Sequence, residues 1–156
     1  MKKLLSTIMA LVMLLSLVPM AVAEEGAGTE NGAVQSNNVY EVSEAAQLIW
    51  AAKNHTGDTI KLKGNVTLSE PVKITKSVVL DLGDYTVTYG GEGDLRAIYV
   101  ENGADVQIKA TANGGVVATT IALQVNPGGK LTVDGGTYNA TYAVAVFSNE
   151  TKQKQY

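Results

Sequence analysis

Cutting a sugar polymer takes two carboxyl groups on neighbouring stretches of backbone, one to protonate the leaving oxygen and one to act as base or nucleophile. Eliminating across a uronic acid takes a base beside a cation or a calcium ion. The acids to consider are Asp81, Asp84, Asp105 and Asp134. Asp81, Asp105 and Asp134 are better explained by pairing. One repeat apart, Asp105 falls over Lys130 and Lys109 over Asp134, Asp81 has Lys61 as its neighbour, and Arg96, the only arginine, adjoins Asp94. Such cross-strand pairs support a register and leave no acidic cluster for catalysis. His55 falls in a turn after a helix, where it is expected to lack an acidic or cysteine partner, and is given no catalytic role.

Metal and cofactor chemistry is equally thin. The chain has no cysteine, which excludes thiolate sites and a disulfide scaffold. Gly90-Gly91-Glu92-Gly93-Asp94-Leu95 approaches a calcium-binding nonapeptide, but Leu95 stands where an aspartate is required, so it reads as a glycine loop. Asn113-Gly114-Gly115, Pro127-Gly128-Gly129 and Asp134-Gly135-Gly136 are corners, since none opens a helix as a phosphate cradle must. No catalytic residue, metal ligand or cofactor is expected.

Aromatic residues are the remaining candidates. If Ile98 and Val100 point inward, Tyr99 points outward, with Gln124 beside it on the next repeat; Tyr138 and Tyr142 border another face. Tyrosine next to amide groups offers a stacking surface with hydrogen-bond partners, which suits a sugar ring. Tyr99, Gln124, Tyr138 and Tyr142 are therefore the expected glycan-binding residues.

The elements that would position these residues follow from periodicity. Lys2-Lys3, an apolar run from Leu4 to Met20 and Ala21-Val22-Ala23 have the order of a secretory signal peptide over residues 1–23, cleaved before Glu24. Export to the cell surface or medium is expected. Residues 24–38, rich in Gly, Glu, Asn and Ser, read as a flexible solvated linker. Residues 39–58 form an N-terminal cap containing a helix over 43–54, with Ser43 as N-cap and Ala45, Leu48, Ile49 and Ala52 on one face.

From Thr59 the apolar period becomes two, and the pairs recur every ~21–26 residues. Val72/Ile74, Ile98/Val100, Leu123/Val125 and Val144/Val146 form one series. Leu80/Leu82, Val106/Ile108 and Leu131/Val133 form a second, and Val66/Leu68, Val87, Val116 and Tyr138 a weaker third. The segment from Ala97 to Ile108 aligns without a gap on Ala122 to Val133. Short strands at fixed long period with glycine corners describe turns of a solenoid. The outward ladders expected are Lys73, Tyr99, Gln124, Ala145 and Lys61, Asp81, Gln107, Thr132.

Thr59 to Leu68 and Ile74 to Thr88 resemble the entry turns of right-handed parallel β-helix proteins of the pectin-lyase-like group, which includes repetitive exported surface proteins of Gram-positive bacteria. The resemblance implies an all-β, right-handed parallel β-helix with an N-terminal capping α-helix, its turns filling residues 59–156. That fold hosts lyases, hydrolases and adhesins, so it does not decide function.

The chain of 156 residues carries 12 basic against 15 acidic groups, a net charge of −3, and loses Lys2 and Lys3 with the leader. An acidic balance argues against nucleic acid as a partner. The expectation is an exported, non-catalytic surface module, adhesin-like or glycan-binding. The alternative is the front part of a polysaccharide lyase or hydrolase with its active site beyond Tyr156. Val144 and Val146 start a turn whose second strand does not follow, so the repeat is expected to be truncated there and to self-associate through that open turn.

Overall fold

The computed structural model describes residues 29–30, 33–91 and 96–148. The expected leader lies outside these residues, as do Glu92-Gly93-Asp94-Leu95 of the glycine loop. Among the described residues no helix is long and apolar enough to cross a membrane.

The chain is a parallel β-solenoid. After strands β1 (Thr29–Glu30), β2 (Ala33–Ser36) and β3 (Val39–Val42) and helix α1 (Ala45–Asn54), four strand triplets follow. They are β4 (Thr59–Leu62), β5 (Val66–Leu68) and β6 (Val72–Ile74); β7 (Val78–Gly83), β8 (Thr86–Tyr89) and β9 (Arg96–Val100); β10 (Asp105–Ala110), β11 (Gly115–Ala118) and β12 (Ile121–Val125); and β13 (Lys130–Asp134), β14 (Thr137–Asn139) and β15 (Tyr142–Val146). Corresponding strands of successive triplets stack in parallel. The first sheet runs β1-β2-β3-β4-β7-β10-β13, the second β5-β8-β11-β14 and the third β6-β9-β12-β15.

Alternation inside each strand sends one set of side chains into the tube, where they stack on the same set of the next coil. Ile60, Leu80 and Ile108 form one such column, Val66, Val87 and Val116 a second, and Val72, Ile98 and Leu123 a third. All nine are fully or almost fully buried. Corners need residues that accept a left-handed backbone: Gly128 has φ 83°, and a Cβ there would overlap the Asn102 side chain of the coil before it.

The first and third apolar series have the register expected from spacing, including Tyr138 opposite Val116 and Val144 opposite Leu123. The second keeps it from Val106/Ile108 to Leu131/Val133 but departs at its first step. Val78/Leu80, rather than Leu80/Leu82, lie against Val106/Ile108. The pairing is set two residues earlier on β7 than spacing suggests, and a bulge follows it: Lys109 faces Asp81 while Ala110 faces Gly83, so Leu82 is an extra residue of β7. Gly83 takes φ 54° there, and its N–H donates to Asp81 Oδ1 at 3.0 Å.

Two N-terminal expectations also change. Within the span read as a flexible linker, β2 pairs antiparallel with β3, Gln35 opposite Tyr40 and Ser36 opposite Val39. Asn37 and Asn38, both at positive φ (49° and 62°), make the two-residue hairpin turn that asparagine tolerates. Helix α1 begins at Ala45, two residues later than expected, with Glu44 at the N-cap in place of Ser43. The Gln47 side chain turns back, its Oε1 accepting from Ser43 N at 2.8 Å and Glu44 N at 3.2 Å. Leu48, Ala51 and Ala52 are wholly buried as α1 packs over β6 with contacts to β3, β4 and β5. It closes the tube at the β6 end. At the other end the inward series of the last triplet is open: Val133, Tyr142, Val144 and Val146 are all exposed.

Candidate functional site

The outer face of the third sheet carries the column read from the sequence. Lys73 faces Tyr99, Tyr99 faces Gln124, and Gln124 faces Ala145. Pointing outward is not the same as being exposed, and here the expectation fails. Tyr99 is 6% exposed and Gln124 only 4%. Arg96, three residues upstream of Tyr99, folds over this face. Its guanidinium carbon lies 5.0 Å from the Tyr99 ring centroid, within cation–π range. Its Nη1 donates to Gln124 Oε1 at 3.1 Å. Lys73 Nζ sits 6.0 Å from the same ring.

The network continues beyond the expected residues. Gln124 Nε2 donates to Asn126 Oδ1 at 2.6 Å, and Asn126 Nδ2 donates to Glu101 Oε2 at 2.7 Å. Arg96, Gln124, Asn126 and Glu101 thus form one chain of donors and acceptors across two coils. Asp94, the partner expected for Arg96, lies outside the described residues. Asn126 and Glu101 escape a reading of the sequence, although the gapless alignment already sets one above the other.

The other tyrosines do not join this group. Tyr138 belongs to the second sheet, in the inward column of Val116, half-buried, with its hydroxyl donating to Gly135 O at 3.1 Å. Burial pushes its phenol above the ordinary value of 10.0. Tyr142 is on the third sheet but in register with Ile121, one strand end away from Gln124, and is 58% exposed.

The outer face of the first sheet needs a correction that follows from the register of β7 against β10. Asp81 lies between Lys61 and Lys109, and Lys109 faces Asp134. The column is therefore Lys61, Asp81, Lys109, Asp134, with sign alternating at every step. Gln107 and Thr132 belong to a neighbouring column that includes Val79. Beside them Lys130 Nζ meets Asp105 Oδ2 at 2.7 Å, and the Asp84 carboxylate accepts a hydrogen bond from Thr111 Oγ1. The acids of this surface are separated by cations and a hydroxyl, which is an arrangement for register rather than for proton transfer.

His55 is not partnerless: its Nδ1 lies 3.4 Å from Asp58 Oδ2. The ring stacks on Tyr40 at 3.6 Å between centroids and meets the Trp50 edge at 4.8 Å. Asp58, three residues on in the same loop, is the signal in the sequence for this pairing. The imidazole packs the junction between β3 and α1.

Between α1 and β6 lies a cleft of about 350 Å³ lined by Ile49, Lys53, Glu70, Pro71, Lys73 and Thr75. Among the described residues no group of three His, Cys, Asp or Glu side chains is placed to hold a metal ion. Comparison with protein-family models, curated proteins and solved structures finds no match to this chain.

Proposed function

We propose that this chain is an exported, cell-surface β-solenoid module, an adhesin-like scaffold with no catalysis of its own. The observation that carries the reading is the alternation of Lys61, Asp81, Lys109 and Asp134 along the first sheet. A glycosidase needs two carboxyl groups facing one sugar, ~5–9.5 Å apart. Here the immediate neighbours of each acid in the column are basic. The second face is likewise committed, its arginine and amides bonded to one another. The leader pattern over residues 1–23 supports export.

The test is incubation of the purified chain with neutral and uronic-acid polysaccharides, assaying reducing and unsaturated ends. No release is expected. Release abolished by Asp81→Asn would replace the scaffold reading with a lyase or hydrolase.

One observation favours glycan binding as a second reading. Lys53 and Lys73 line the cleft beside α1, and its volume suits a single sugar residue. An acidic glycan would meet two cations there, with Tyr99 behind Lys73. Binding of uronic-acid oligosaccharides, lost on joint replacement of Lys53 and Lys73 by Ala, is the expected result. Binding unaffected by that change would move the site elsewhere.

A further inference from the structure

Among the described residues, β13, β14 and β15 each pair on one side only, leaving three parallel edges at the same end of the tube. Such edges are templates for another strand. The apolar residues behind them, Val133, Val144 and Val146, are exposed, whereas their counterparts one coil back, Ile108, Leu123 and Val125, are buried. Among the described residues the opposite end is built differently, because α1 packs over β6 and the hairpin extends the first sheet to β1. Head-to-tail stacking of copies would therefore not continue all three sheets at once. Tail-to-tail association about a two-fold axis is open, and closed two-fold symmetry is the commonest form of self-association.

We infer that two copies join through this end, β13 pairing antiparallel with its own symmetry mate about Thr132. A two-fold axis perpendicular to the first sheet maps that sheet onto itself with strands reversed. It also brings β14 of each copy against β15 of the other.

Three features of Lys130-Leu131-Thr132-Val133-Asp134 select this register. First, Lys130 N donates to Ala104 O at 2.8 Å, so the backbone groups of 130, 132 and 134 turn toward β10. Those of Leu131 and Val133 then face the open edge, and in a pairing centred on Thr132 they hydrogen-bond across it, Leu131 to Val133 of the mate. Second, the same register keeps Leu131 and Val133 on the inward side, continuing both cores. Third, it places Lys130 opposite Asp134 of the mate, twice. The column Lys61, Asp81, Lys109, Asp134 would then continue into Lys130 and Asp105 of the second copy without a break in alternation. A pairing centred on Leu131 would satisfy the backbone equally but would set Lys130 against Thr132. Charge complementarity decides between them.

The experiment is sedimentation of the purified full chain, of Lys130→Asp and Asp134→Lys singly, and of the two variants mixed. Native chain should be dimeric. Each variant opposes like charges twice and should raise the dimer dissociation constant about tenfold or more. The equimolar mixture should recover a heterodimer. In it, both acidic positions of the first variant face both basic positions of the second, so each of the two cross-dimer pairs again joins opposite charges. Folding costs of each substitution are the same alone and mixed, so recovery reports the register itself. Independently, Thr132→Cys should oxidise to a disulfide dimer, since a non-hydrogen-bonded antiparallel pair sets Cα atoms about 4.5 Å apart. The chain has no other cysteine. A monomeric native chain, open-ended oligomers, no recovery on mixing, or no cross-link at position 132 would each overturn the inference.

Discussion

Tyr99 stands directly against Gln124 on the next coil, both on the outer face of the sheet, yet both are shut off from solvent. Arg96 makes the difference by lying over the ring and bonding the amide. A surface that reads from the sequence as a sugar platform is in the folded chain a closed polar layer.

Arg96→Ala should therefore uncover Tyr99 and strand the Gln124 carboxamide. Loss of one cation–π contact and one charged hydrogen bond implies about 1–3 kcal/mol of destabilisation. Denaturant unfolding measures the loss, and iodide quenching of tyrosine fluorescence measures the exposure. Unchanged quenching would mean that something other than Arg96 covers the ring.

Two substitutions contrast the middle of the tube with its open end. Leu80 is fully buried between Ile60 and Ile108, so Leu80→Ala should cost ~2–5 kcal/mol. Val146 belongs to an equivalent inward series but is 73% exposed. In dilute solution, with the chains apart, Val146→Ala should change stability by no more than about 0.5 kcal/mol. Thermal unfolding at low protein concentration compares the two.

The third sheet was legible in the sequence because Val72/Ile74, Ile98/Val100, Leu123/Val125 and Val144/Val146 each keep strict alternation with no bulge inside the strand. The first sheet was only partly legible. Its β7 strand buries three apolar residues in alternation, Val78, Leu80 and Leu82, and apolar pattern alone cannot separate Val78/Leu80 from Leu80/Leu82 as the partner of Val106/Ile108. The hairpin before β3 was hidden because Asn37-Asn38 has the composition of a linker, and only its left-handed backbone makes it a turn. Burial of Tyr99 was not legible either. Parity tells which side of a sheet a residue leaves from and says nothing of an arginine that folds back over it.

Tyr138 supplies a pH dependence. Burial raises its folded-state value above the ordinary 10.0, so the neutral phenol is favoured in the native chain. The sign follows: its contribution to stability is complete below pH 10 and is lost as pH rises toward the folded value. Tyr138→Phe should flatten the fall in stability above pH 10 relative to the native chain. Identical alkaline profiles for the two would remove Tyr138 from the account.

Export leaves a chemical mark at the new N-terminus. Material recovered from the culture medium or the cell surface should begin at Glu24, the residue after Ala21-Val22-Ala23. Recovery of an intact chain starting at Met1 and held in the membrane would contradict the exported-module proposal.

The claim on which the scaffold reading rests most heavily is that Asp81 lies between Lys61 and Lys109 rather than beside Gln107. Paired cysteines test it directly in a chain that has none of its own. Directly opposed residues on neighbouring strands are about 4.8 Å apart, within disulfide reach, whereas diagonal positions lie ~7–8 Å apart. Asp81→Cys with Lys109→Cys should form an intramolecular disulfide in the folded chain, and Asp81→Cys with Gln107→Cys should stay reduced. The reverse result would place Asp81 in the other column, away from its second cation, and would reopen the case for an acid free to do chemistry.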